Sequence, residues 1–183
     1  MRTQPLLLLL LCSLQIQFLT GQTTGSNDCS LTIPAIALLD LEPSNANITL
    51  YMTAPTEAGL PLTIGGQATN STKWLNYTSA IVQGGPARTI TAKVTDGTVP
   101  AGIALYLQAG AYTGNGAGTL GSPTGPVTLD HTAKTIVSGI GGCYTGDGAN
   151  KGHLLTYSLA ISDYTLLNHN SSIPIQITFT ISD

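Results

Sequence analysis

The chain has 183 residues, a formal net charge of −3 and only 8% charged side chains. That length suits one domain with a substantial core. Counterion release on a nucleic acid needs a dense basic face, and the six Lys and Arg residues are scattered instead, as Arg2, Lys73, Arg88, Lys93, Lys134 and Lys151. Nucleic-acid binding is therefore excluded.

The first element in chain order is a targeting segment. Arg2 supplies a positive start, Leu6 to Leu11 form an unbroken apolar run, and Phe18-Leu19-Thr20-Gly21 offers a cleavage site before Gln22. A membrane-spanning helix needs about 20 apolar residues, and Gln15 and Gln17 interrupt this one. Residues 1–21 therefore read as a signal peptide. Cys12 lies inside the run, but Leu9-Leu10-Leu11 lacks the small residues that precede a lipidated cysteine. The expected location is secreted, extracellular or cell-surface, with periplasmic transit in a bacterium. No later apolar stretch reaches membrane length, so no span is expected in the mature chain.

Residues 22–28 form a short polar lead. With the signal removed, Cys29 and Cys143 remain, and in an oxidising compartment such a pair is expected to form a disulfide. A bridge closing a loop of about 100 residues would contribute about 4.7 kcal/mol in a chain-entropy account. The apolar stretch Leu31 to Leu41 reads either as the segment that would be shared if subunits exchange strands or simply as the first core strand.

From there period two dominates. Ile48, Leu50 and Met52 alternate with Thr49 and Tyr51; Ile90, Ala92 and Val94 alternate with Thr89, Thr91, Lys93 and Thr95. Ile103, Leu105, Leu107 and Ala109 share one face, as do Leu155, Tyr157, Leu159 and Ile161. The chain ends with Ile173, Ile175, Ile177, Phe179 and Ile181 set against Gln176, Thr178, Thr180 and Ser182. Turn residues separate these runs, among them Gly84-Gly85-Pro86, Asp96-Gly97 and Asp147-Gly148. Residues 110–126 hold six glycines and two prolines, and read as a long exposed loop or an irregular hairpin. The pattern predicts an all-β fold: one antiparallel β-sandwich over residues 29–183, with about eight to ten strands.

Catalytic chemistry is sparse. Gly114-Asn115-Gly116-Ala117-Gly118 lacks the following helix that a phosphate-cradling loop opens. No Gly-x-Ser-x-Gly elbow occurs. Of the three histidines, His153 lies on the apolar face of its run and reads as a satisfied boundary residue, whereas His131 and His169 sit beside turns. Asp147-Gly148-Ala149-Asn150 reads as a plain turn rather than a calcium loop of regularly spaced acids. No catalytic residue, cofactor or metal is expected, and the chain reads as no enzyme. Asn47, Asn70, Asn76 and Asn170 head glycan-acceptor triplets, which matter only in a eukaryotic secretory pathway. Trp74 and Tyr77 read either as core fillers or as an exposed pair stacking on a sugar ring.

The signal segment, Cys29 at the domain start, the Gly- and Thr-rich strands and the terminal ribbon resemble the immunoglobulin-like subunits of bacterial surface fimbriae. These include chaperone–usher pilins and spore-coat-U-type relatives. The resemblance implies an immunoglobulin-like sandwich whose last strand, carrying Ile173, Ile175, Ile177, Phe179 and Ile181, is the subunit-contact strand. Two features depart from that pattern: the lead before Cys29 is too short and polar for a donor strand, and Cys143 lies far along the chain for the usual bridge. The expected function is a structural or adhesive surface protein, self-assembling or joining other surface subunits through edge-strand contacts. A carbohydrate-binding module using Trp74 and Tyr77, with a glycan as partner, is the alternative; a small secreted enzyme is the third.

Overall fold

A computed structural model describes residues 26–44, 47–63, 68–169 and 173–183. The signal-peptide reading falls outside these residues, as does Asn170. The chain divides into two units, Met1–Ile33 and Pro34–Asp183. Within the first, the described residues 26–33 hold no strand, and every one of them is exposed.

The second unit is all-β and antiparallel. Its described residues form nine strands: β1 (Ile36–Glu42), β2 (Thr69–Ala80), β3 (Arg88–Asp96), β4 (Ile103–Thr113), β5 (Ala117–Pro123), β6 (Val127–Thr128), β7 (Lys134–Tyr144), β8 (Gly152–Ile161) and β9 (Gln176–Ser182). Hydrogen bonding runs in the order β6-β4-β8-β2-β7-β3-β9, with β1 beside β2 and β5 beside β7. β2 joins the two halves of this order. Its first half pairs β8, with Trp74 opposite Leu154, and its end pairs β7, with Ser79 opposite Cys143. Between Asn70 and Lys73 the register on β8 shifts, a bulge that bends the strand.

The halves share one core, which makes the fold a sandwich. Leu105 and Leu107 of β4 and Leu155 and Tyr157 of β8 meet Ile90 and Val94 of β3 and Ile136, Val137 and Ile140 of β7. On β3 the alternation read from the sequence maps directly onto burial: Ile90, Ala92 and Val94 are buried, Lys93 and Thr95 exposed. Each buried apolar side chain of that size contributes about 1.5–3 kcal/mol by leaving water.

Three expectations need correction. Ile48, Leu50 and Met52 do not form a strand; among the described residues nearby the pairing is an isolated bridge between Thr53 and Thr63. Ile48 and Leu50 nevertheless pack against the core, so the alternation marks a buried face that lacks a partner strand. For residues 110–126 the loop reading fails and the hairpin reading holds only in part: they hold the end of β4 and all of β5, but β5 pairs β7 rather than β4. Glycine here serves close strand approach: a Cβ at Gly118, whose φ is +94°, would lie 2.1 Å from the carbonyl oxygen of Gly142 on β7. Finally, Cys29 and Cys143 are free thiols rather than a bridge. Cys143 faces the core from β7, and burial pushes its thiol pKa up. Such a thiol holds its proton and reacts poorly.

Candidate functional site

Four described strands pair on one side only: β1, β5, β6 and β9. An unpaired strand edge offers free N–H and C=O groups to another chain, and proteins usually blunt it with charge, proline, bulges or brevity. β6 has only two residues. β5 ends in Pro123 and is kinked by positive φ at Gly118 and Gly121. β1 carries Asp40 and Glu42.

β9 is the least guarded of the four: its one irregularity is a register shift against β3 between Val94 and Asp96, opposite Gln176. Its seven residues, Gln-Ile-Thr-Phe-Thr-Ile-Ser, hold no charge and no proline. Six of them pair β3 in unbroken register from Thr89↔Ser182 to Val94↔Ile177. Gln176, Thr178, Thr180 and Ser182 are exposed, whereas Ile177, Phe179 and Ile181 are half-buried against the core. A groove of about 360 Å³ lies between β9 and β1, where Ile177 and Phe179 face Leu39 and Leu41. Of the residues read as the contact strand, Ile177, Phe179 and Ile181 lie on β9, while Ile175 and Ile173 precede it. Ile173 is exposed.

The first and last strands are tied by one side chain. Arg88 opens β3 and is 8% exposed. Its Nε donates to Asp183 Oδ1 at 2.6 Å, and its Nη1 donates to the Ile36 carbonyl and to Ser79 Oγ at 3.3 Å. One guanidinium thus gathers the start of β1, the end of β2 and the residue after β9.

A second constellation lies in the interior. His153 is wholly buried. Its Nδ1 lies 2.8 Å from the Gly110 carbonyl and its Nε2 2.9 Å from the Tyr77 hydroxyl, whose single proton is shared between Nε2 and the Leu120 carbonyl. Since a carbonyl can only accept, Nδ1 carries the proton of the neutral ring. Burial lowers the His153 pKa, partly opposed by the Gly110 bond, and raises that of Tyr77. No acid belongs to this set, and no described buried polar side-chain atom lacks a partner. The arrangement fastens β2, β4, β5 and β8 together; it holds no nucleophile and no open face for a substrate.

Three carboxylates converge on the surface. Oxygens of Asp40, Glu42 and Asp147 all lie within 4.8 Å of one another. Hard cations such as Ca²⁺ take six to eight oxygens, and three carboxylates supply half of that. The turn after Asp147 is held from below by Asn76, whose Oδ1 accepts from Gly148 N at 2.9 Å and whose Nδ2 donates to the Lys151 carbonyl at 2.7 Å. The convergence of Asp147 with β1 was invisible in the sequence, because it depends on β1 pairing β2.

The proposed sugar-stacking pair is separated. Tyr77 is 4% exposed and its hydroxyl is engaged within the core, while Trp74 is half-buried on β2. Alternation along a strand sends residues three apart to opposite faces. Asn76 is likewise sealed, whereas Asn47 is exposed and Asn70 half-exposed. His131 and His169 are exposed as expected. Among the described residues, no helix is long and apolar enough to cross a membrane. No family model, curated protein or solved structure matches the chain.

Proposed function

We propose that the chain is a secreted structural or adhesive surface protein, a pilin-like subunit that assembles through edge-strand contacts. One observation carries this reading: β9 is the only edge strand of full length, among those described, that bears no charge, proline or kink. Backbone groups along such an edge gain partners when a second strand is added. The polar outer face of β9 supports the same reading, since Thr and Gln side chains tolerate either water or a neighbouring strand.

The test is the assembly state of the mature protein and of a Thr180→Lys variant. Thr180 is exposed on β9, so the lysine leaves the core intact while guarding the edge. Sedimentation velocity and negative-stain microscopy should show oligomers or filaments for the wild type, and monomers for the variant with an unchanged circular-dichroism spectrum. A wild type that stays monomeric at every concentration contradicts the proposal.

A further inference from the structure

The sequence of β9 reads the same in both directions about Phe179: Ile177-Thr178-Phe179-Thr180-Ile181. We infer that the partner of the β9 edge is β9 of a second copy, paired antiparallel across a two-fold axis through Phe179. This deepens the edge-strand reading above and rests on it.

An antiparallel pair centred on Phe179 sets Phe179 opposite Phe179, Thr178 opposite Thr180, and Ile177 opposite Ile181. A two-fold axis makes residue i meet j and j meet i, and the palindrome adds that each such pair is of one residue type. Threonine pairs bond across strands, and aromatic and β-branched pairs are favoured there. The apolar row gains as well, because Ile177, Phe179 and Ile181 are only half-buried in the single chain. A second copy of the row would cover them.

Charge argues against β1 as the partner. A copy of β9 brings no charge toward Asp40 at the adjoining groove. A copy of β1 would bring Asp40 and Glu42 there, acid against acid. The two-fold pairing closes the assembly at two subunits through this edge, whereas a head-to-tail contact would leave it open.

The register is read by disulfide trapping in the full mature chain. Cys29→Ser removes the exposed native thiol, and Cys143 is buried. On that background Thr178→Cys and Thr180→Cys are made separately; both positions are exposed. Directly opposed residues have Cα atoms about 4.5–5.5 Å apart, within the span a disulfide bridges. Mild oxidation of a mixture of the two variants should give a linked dimer, lost when either variant is oxidised alone. Equal linking of either variant alone, or none in the mixture, overturns the register. Light scattering on the wild type separates the remaining outcomes. A mass of two subunits agrees with the two-fold pair. Open-ended oligomers overturn it while leaving edge-strand assembly intact, and monomers throughout overturn both.

Discussion

The tie between Arg88 and Asp183 allows a double-mutant cycle whose outcome follows from unequal burial. The Arg88 side chain is 10% exposed and that of Asp183 63%. Breaking a buried pair costs about 3–5 kcal/mol when a buried charge is left alone, and an exposed pair contributes about 0.2–1 kcal/mol. Asp183→Asn strands the buried guanidinium but keeps an oxygen near Nε, which places its cost between those limits, at about 2 kcal/mol. Arg88→Met removes the charge and fills much of the same volume. It frees the Ile36 carbonyl and leaves Asp183 hydrated, also costing about 2 kcal/mol. With the guanidinium gone, Asp183→Asn has nothing left to strand. The double variant should therefore lose about 2–2.5 kcal/mol rather than about 4, a coupling of about 1.5–2 kcal/mol. Urea unfolding with fitted m-values measures all four corners. Additivity within about 0.5 kcal/mol would show that the charge at Arg88 does not depend on Asp183.

Two further predictions concern the interior. Gly152 opens β8 at a φ of +76°, and a Cβ there would lie 2.0 Å from the Leu75 carbonyl oxygen. Left-handed backbone alone costs an alanine about 1–2 kcal/mol, and parting β8 from β2 adds to it. Gly152→Ala should thus destabilise by about 3 kcal/mol and lower Tm by roughly 6–12 °C in a scanning melt; an unchanged Tm contradicts the geometry. His153 sets a pH dependence. Burial depresses its folded pKa below 6.5, so between those two values the unfolded chain binds more protons. Stability is therefore full above about pH 6.5 and falls on acidification, by at most about 1.4 kcal/mol per pH unit. Urea midpoints between about pH 7.5 and 5 should show this slope, and a His153→Gln variant should flatten it.

The sequence made the fold class legible because its best-patterned strands bury one face. β3, β4, β8 and β9 are half in and half out, and period two follows from that. β2 and β7 were missed for the opposite reason. β2 buries Lys73, Asn76 and Ser79 beside Leu75 and Tyr77, because its Asn76 holds the Gly148 turn and its Ser79 meets Arg88; those polar residues hide the alternation. β7 carries Gly139, Gly141 and Gly142 among its apolar residues, which reads as a loop until β5 is seen packed against it. β9 was legible as an alternating ribbon. That it lies on an edge was not, because edge position depends on which strands fill the rest of the sheet.

The two-fold pairing of β9 makes a charge prediction that no other partner strand shares. Under it, residue 178 of one copy faces residue 180 of the other, and the axis repeats the contact. Thr178→Glu with Thr180→Glu then places two like-charge pairs across the interface, and Thr178→Glu with Thr180→Lys places two opposite pairs. Within each subunit residue 178 faces Lys93 of β3, so a glutamate at that position suits the fold in both variants. Cross-strand charge pairs contribute about 0.2–1 kcal/mol each, with either sign. The two double variants should therefore differ by about 2 kcal/mol in dimerisation, roughly 30-fold in Kd. Sedimentation equilibrium at about 0.15 M salt, where charges beyond about 8 Å are screened, isolates the local pairs from net charge. A foreign strand or a head-to-tail contact would not set 178 against 180, and both variants would then weaken association alike. Equal weakening would remove the two-fold axis from the interface.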